Sequence, residues 1–391
     1  MDKKTTIIRV ATVPIYMNIV LKGQLKYLNE YFNVIAATSY DLKHYNEILK
    51  REGIKMREIG LFRTISPLKD IKALFQLIIL IKKEKPNLIH THTPKAGLLG
   101  MLASYICRVP IRIHTVTGMP LMGVEGFKQQ ILLFIEKLTY RLATNVYPNS
   151  EGLKSFIIHK KLARKAKLKV LLNGSTNGVD FDFFNSKLSM PKLELRKINN
   201  LEEVDFVFLF VGRIAKEKGI EVLVNAFAKL VKEFPNGNIK LMLIGKIETQ
   251  YGLISKEIER LIQIHTNILT PGRFDDVRPF YKMSDIFVLP SFREGFPNAV
   301  LEAGAMGLPS IVTNINGCNE IITDNINGKI IPVKDEYSLH KVMKEMFLNK
   351  EENNKMSVKA SEIIKERYSS QKMMEEVKNE YDLLLKNNND R

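Results

Sequence analysis

The chain has 391 residues, enough for two or three domains and a sizeable core. Its 45% apolar and 26% charged content is that of a globular protein, and its two distant cysteines, Cys107 and Cys318, exclude a disulfide framework and fit a reducing cytosol. A net charge of +17 calls for an anionic partner: nucleic acid, an anionic membrane surface or a phosphorylated substrate.

The elements run in order as follows. A basic start leads into an apolar segment at 7–13, which Arg9 interrupts, so it reads as a strand rather than a secretory leader. Strands follow at 34–37, 88–90, 111–115, 145–147 and 169–172, with helices at 71–83 and 129–142. The apolar runs at 74–81 and 98–107 fall short of the roughly 20 residues that span a bilayer. Cys107, in the second run, reads as packed core. The segment 159–169 is strongly basic through Lys160, Lys161, Arg164, Lys165, Lys167 and Lys169, either a solvated surface or one that rests on anionic lipid. A polar stretch at 182–203 with Pro191 reads as a linker. The alternation then restarts, with strands at 204–211, 239–244, 286–289, 310–313 and 329–331 and helices at 220–233, 251–265, 298–306 and 337–348. The tail 357–385 reads as one or two amphipathic helices. Such alternation argues an α/β protein of two Rossmann-like domains, each a parallel sheet with helices on both faces, and a cleft between them. The expected division is 1–185, 186–365 and a C-terminal helix, 366–391, packing back on the first domain.

The most informative stretch is PSFREGFPNAVLEA at 290–303. A buried strand precedes it, and Pro297 suits the first turn of a helix. Glu294 then sits on the loop beyond the strand's carboxyl end, and Glu302 lies among apolar and small residues in the second helical turn. Ligands of open α/β sheets bind beyond the carboxyl ends of the strands, and a helix N-terminus adds free N–H groups. Two carboxylates and a nest of donors suit a polar ligand; the plainer alternative is a solvated Glu294 and a Glu302 paired with a lysine. In VGRIAKEKG (211–219), Gly212 ends a strand, and Arg213 and Lys218 open a helix with a donor fork and a point charge, both suited to a diphosphate. A surface loop with ordinary cations is the alternative. No GxxxxGK[ST] loop or complete GxGxxG fingerprint is present, which weighs against NTP hydrolysis and a simple dehydrogenase.

Together with LIG (243–245), PGRFDDV (271–277) and the long motif at 284–322, these residues resemble the family 4 glycosyltransferases, retaining enzymes of the two-domain GT-B fold. HTHTPKAGLLG (90–100), HTVTGMP (114–120), YPNSEGLK (147–154) and LLNGSTNGVDFDFF (171–184) look most like the bacterial branch that builds capsular, exopolysaccharide or O-antigen repeats on a lipid carrier. The resemblance implies that Arg213 and Lys218 hold the diphosphate of a nucleotide-sugar, most often a UDP-sugar. It implies that Glu302 accepts from the ribose hydroxyls and that Glu294 contacts the donor sugar. The backbone around Phe296, Pro297, Asn298 and Ala299 would lie near the sugar or phosphate, and Gly212, Gly245, Arg273 and Asp276 around the nucleotide. Many relatives carry a histidine directly before the glycine of the loop over the sugar. Here Thr117 and Gly118 fill that position, and His114 is either a sugar contact or buried at a strand end. The glycine pair common after the first strand is replaced by VPIYMN at 13–18, with Gly23 following later, and Gly118, Pro120, Gly123 and Gly126 mark a mobile acceptor loop. No cofactor and no metal are expected: Asp180 and Asp182 read as a turn, and His90 and His92 as core or substrate-lining residues. The implied acceptor is polyprenyl-diphosphate-linked, with the enzyme peripheral at the inner face of the cytoplasmic membrane. The alternatives are a nucleotide-sugar epimerase of the same fold and, from another class, a basic nucleic-acid-binding protein. The latter should interleave aromatics in its basic segment, and 160–169 has none.

Overall fold

The computed structural model describes residues 4–64, 66–118, 126–185, 187–249 and 252–390. Pro120 and Gly123 of the expected acceptor loop, and Tyr251 of the expected helix at 251–265, lie outside the described residues. The chain forms two compact units: Met1–Gly178 together with Ser370–Arg391, and Val179–Ser369.

Unit 1 runs β1 (Thr6–Val10), α1 (Pro14–Val20), α2 (Gln24–Tyr31), β2 (Asn33–Thr38), α3 (Leu42–Glu52), β3 (Lys55–Glu58), α4 (Pro67–Glu84) and β4 (Leu88–His92). It continues with α5 (Pro94–Ile106), β5 (Ile111–Val116), α6 (Gly126–Leu142), β6 (Asn145–Pro148) and α7 (Glu151–His159). The parallel sheet has the order β3-β2-β1-β4-β5-β6. Its inner strands are buried along their length, as a sheet covered on both faces requires. The strand order reverses beside β1, and right-handed crossovers therefore place helices on opposite faces. Met17, Leu25, Leu28 and Ile48 of α1–α3 form one core, and Leu77, Ile81, Met101, Tyr140 and Ile157 of α4–α7 form the other.

Unit 2 runs α8 (Lys192–Ile198), β7 (Phe206–Val211), α9 (Ile220–Glu233), β8 (Ile239–Ile244), α10 (Lys256–Ile264), β9 (Ile268–Gly272), α11 (Arg278–Met283) and β10 (Ile286–Leu289). Then come α12 (Asn298–Ala305), β11 (Ser310–Thr313), α13 (Cys318–Ile321), β12 (Gly328–Ile331), α14 (Glu336–Leu348) and α15 (Lys350–Tyr368). Its sheet is also parallel, in the order β12-β11-β10-β7-β8-β9. The last helix, α16 (Ser370–Asn389), returns to unit 1 and adds Met373, Val377 and Tyr381 to the core under α1–α3.

That return is fixed by polar contacts. Arg9 is fully buried, with its guanidinium held by neutral groups: His92 Nε2 at 2.8 Å, Tyr381 Oη at 3.0 Å and Gln24 Oε1 at 2.7 Å. Glu380 accepts from Tyr147 Oη at 2.6 Å and from Lys169 Nζ.

Both sheets have an edge strand that the sequence reading omits. β3 is short and polar, and β9 contains Pro271, which cannot donate to a ladder and suits an edge, and Gly272, which weakens a strand. Conversely, 169–172 is not a strand. Leu172 turns left-handed at φ 47° and Gly174 N bonds to Leu171 O, so only Leu168 makes a bridge to Val146. The stretch expected as a linker contains α8, and the segment after β1 is helical from Pro14, which starts the helix without losing a needed donor.

Candidate active site

In unit 2 the loops after β7, β8 and β10 meet beyond the carboxyl ends of their strands. Their approach depends on two glycines. A Cβ on Gly245 would sit 1.8 Å from Gly212 O, so only glycine lets the loop after β8 lie against the loop after β7. Gly219, at φ 73°, has Pro290 O where its Cβ would be, 2.0 Å away, and so joins the start of α9 to the loop after β10.

The second junction brings Lys218 to Glu294. Lys218 Nζ lies 2.5 Å from Glu294 Oε1, with the two side chains 19% and 12% exposed. Ser291 Oγ donates to the same oxygen at 2.8 Å, Thr313 Oγ1 donates to Ser291 O at 2.5 Å, and Phe292 N donates to Glu217 O at 2.9 Å. Arg213 lies on the rim with its side chain 53% exposed. It reaches Glu248 at 3.2 Å and also pairs with Glu217, which Arg293 meets at 2.7 Å. Partial burial pushes the Glu217 carboxyl up, but Arg293 and Arg213 outweigh it and hold the group below its ordinary value. Arg213, Lys218 and Arg293 thus gather at one sheet end, paired there with Glu217, Glu248 and Glu294.

α12 begins at Asn298 with Pro297 as its N-cap, and Phe296 and Pro297 are buried. Val300 N donates to Pro297 O at 3.1 Å, whereas the N–H groups of Asn298 and Ala299 precede the helix's first acceptor and offer an anion its positive end. Glu302 is half-buried in the second turn, and Tyr281 Oη donates to its Oε2 at 3.0 Å. Burial, reinforced by Glu302, keeps the Tyr281 hydroxyl protonated, so it remains a donor to that carboxylate.

The remaining residues named from sequence fall elsewhere. Arg273 is exposed on the loop after β9. Asp276 engages Arg278 N at 3.0 Å and Arg278 Nη2 at 2.6 Å, which fixes the start of α11. Thr117 and Gly118 follow β5 in unit 1, where Thr117 bonds the Tyr16 hydroxyl. His114 is 2% exposed: its Nδ1 is 2.8 Å from Thr91 Oγ1 and its ring rests on Gly97. Burial pushes its imidazole down to about 4, which fits the strand-end burial that the sequence left open beside a sugar contact. His90 and His92 are also buried, stacked with 4.4 Å between ring centroids, and both are pushed well down, first by burial. Asp180 Oδ1 accepts from Asp182 N at 3.0 Å and Phe183 N at 3.2 Å, closing a turn.

Ser291, Tyr281, Glu217 and Arg293 were not singled out from sequence. Ser291 lies three residues before Glu294 inside the same motif, a spacing that could have found it. Tyr281 belongs to another helix, and no local pattern ties it to Glu302.

Residues 191–363 match the family model for Glycosyl transferases group 1, and residues 32–174 match the Glycosyl transferase 4-like domain. The chain is 33% identical over 369 residues to the capsular polysaccharide biosynthesis glycosyltransferase CapM of Staphylococcus aureus, covering 94% of each. It is 32% identical over 280 residues, 70% of each chain, to an Escherichia coli UDP-Gal:alpha-D-GlcNAc-diphosphoundecaprenol alpha-1,3-galactosyltransferase. Among solved structures, HepE from Anabaena in complex with UDP superposes with a TM-score of 0.81 at 17% identity, covering 97% of this chain and 100% of that one. This places the fold as GT-B.

Proposed function

The chain belongs to the group 1 glycosyl transferases, and from that premise we propose that it is a retaining hexosyltransferase that moves a sugar from a UDP-sugar to a polyprenyl-diphosphate-linked saccharide in surface polysaccharide synthesis. The observation that carries the reading is the Lys218–Glu294 contact beside Arg213 and the start of α12. It sets a lysine ammonium against a carboxylate, which supports a role with the leaving diphosphate for one and with sugar hydroxyls for the other. The UDP donor and the lipid carrier are those in the name of the Escherichia coli relative. The capsule relative supports the pathway.

In this reading Arg213 and Lys218 hold the diphosphate and stabilise the charge that grows on it as the bond to the anomeric carbon breaks. Glu302, oriented by Tyr281, accepts from the ribose, and Gly245 and Arg273 flank the base. Glu294 holds the donor sugar, with Thr117 and Gly118 assigned to the sugar and acceptor side. The acceptor hydroxyl forms its bond to the anomeric carbon on the face the phosphate leaves, and its proton passes to that phosphate oxygen. No side-chain base is then needed, which agrees with the burial of His114. No described helix is long and apolar enough to cross a membrane; in this reading the lipid-borne acceptor is met by peripheral contact at the inner face of the cytoplasmic membrane. Thermal stabilisation by UDP, GDP and ADP tests the donor. UDP at a hundred times its dissociation constant should stabilise by about 2.7 kcal/mol, whereas indifference to all three would refute the assignment.

A further inference from the structure

We infer that the outer face of α4 and α6 in unit 1, with the cationic cavity at the end of α6, is the surface by which the protein docks on an anionic lipid bilayer. This deepens the lipid-linked acceptor reading and rests on it only for its biological reason; the physical case is independent. Two helices on one face of the unit 1 sheet are apolar on both sides. α4 turns Ala73, Leu77, Leu80 and Ile81 inward. At about 100° per residue, Leu68, Ile71, Phe75 and Ile79 lie on the opposite side, and all four are exposed, Leu68 to 83%. α6 repeats the pattern. Glu136, Thr139 and Tyr140 face inward, while Phe127, Ile131 and Phe134 stand out, Phe127 to 82% and Phe134 to 67%. Scattered exposed apolar residues need no explanation, but two aromatic-bearing stripes on helices that both pack on α5 do.

The charges around the stripes identify the partner. Lys69, Lys72, Lys82 and Lys83 on α4, and Lys128, Lys137 and Arg141 on α6, are exposed beside them. The acids of these helices are turned away: Asp70 pairs with Lys95, Glu84 with Arg57, and Glu136 is buried. The α6 stripe ends at a cavity of about 620 Å³ lined by Lys137, Arg141, Lys161, Arg164 and Lys167, with no carboxylate among its lining residues. Lys167 Nζ caps the end of α6, donating to Ala143 O at 2.5 Å and Arg141 O at 3.0 Å, while burial, with Arg112 and Arg164 nearby, pushes its amine below the ordinary value. Apolar rings flanked by lysines, beside a pocket that fits a phosphate headgroup, suit the interfacial layer of an anionic membrane. The basic segment 159–169 thereby acquires a specific place: part of it forms the headgroup pocket.

The test is flotation of the full chain with vesicles of phosphatidylglycerol and phosphatidylcholine, against phosphatidylcholine alone. Binding should favour the anionic vesicles at least tenfold and weaken as salt rises. The doubles Phe127→Ser/Phe134→Ser and Leu68→Ser/Phe75→Ser should each weaken it at least tenfold. Arg141→Ala/Arg164→Ala should lose about fivefold per cation and most of the lipid preference. All these side chains point outward, so unchanged melting is expected and is measured alongside. Vesicle binding that survives in every variant, or absent binding by the wild type, overturns the inference. So does a dimer that the serine variants dissolve while vesicles stay unbound, or stabilisation by free pyrophosphate alone. Stabilisation by UDP reports on unit 2 separately. Vesicle binding without it would sink the proposed function and keep the docking face, and the converse would do the reverse.

Discussion

Replacing Lys218 with methionine keeps the length of the side chain and removes its charge. In the folded protein this strands Glu294, whose side chain is 12% exposed and which keeps only the Ser291 hydroxyl. Breaking a buried pair from one side costs about 3–5 kcal/mol, and residual exposure with the surviving donor reduces this to about 2–3 kcal/mol. In a domain of this size that lowers the melting midpoint by about 4–12 °C. The double variant Lys218→Met/Glu294→Gln removes the stranded charge and should recover most of the loss. Catalysis should not recover. A donor aimed at the leaving diphosphate is worth about 10²–10³ in kcat, so UDP release from the UDP-sugar should fall by that factor in both variants. Titration with UDP separates the partners: Lys218→Met weakens UDP itself, whereas Glu294→Gln leaves UDP affinity intact and lowers kcat/KM for the sugar nucleotide. A double variant that melts like the wild type and turns over at the wild-type rate would make the pair a scaffold and refute the assignment.

Glu302→Ala should weaken UDP by about 10–100-fold, the loss of a charged acceptor from ribose hydroxyls, and Tyr281→Phe by less; calorimetry that finds both unchanged removes Glu302 from the site. Gly219→Ala should abolish transfer with unit 1 still folded, because its Cβ meets Pro290 O; a crystal structure of an active variant would show the loops do not need that approach. Excess EDTA should leave transfer unchanged if, as proposed, Arg213 and Lys218 meet the diphosphate charge, and loss that added Mg²⁺ restores would contradict this. Acid should destabilise unit 1. His90, His92 and His114 stay neutral when folded but take up protons near pH 6.5 when unfolded, so stability is full above about pH 7 and falls as pH drops through 6.5. For His114 the fall ends near its folded value of about 4. His114→Gln should lessen the slope by up to about 1.4 kcal/mol per pH unit, and an unchanged slope in pH-dependent melting would mean the ring is charged in the fold.

The inner strands were legible in the sequence because parallel strands buried on both faces leave unbroken apolar runs; Ile239–Ile244 and Ser310–Thr313 fall where the pattern puts them. Edge strands β3 and β9 were not, since one polar side and a proline erase that signal. The Glu294 and Lys218 loops could be placed at strand ends from local chemistry, but their contact could not. It depends on the space where Gly219 would carry a Cβ, a property of two segments some 70 residues apart in sequence. The two readings of His114 could not be separated from sequence for a related reason: its neighbours in the chain belong to a loop motif, while its neighbours in space are Thr91, Gly97 and Tyr140.

The return of α16 to unit 1 also sets an order of events during synthesis. Unit 2 occupies the stretch between the two parts of unit 1, so it leaves the ribosome complete before Met373, Val377 and Tyr381 have emerged. Until then the core under α1–α3 lies open and the Arg9 guanidinium lacks its Tyr381 acceptor. Unit 2 can therefore mature first, and unit 1 closes only when a helix translated after unit 2 has emerged.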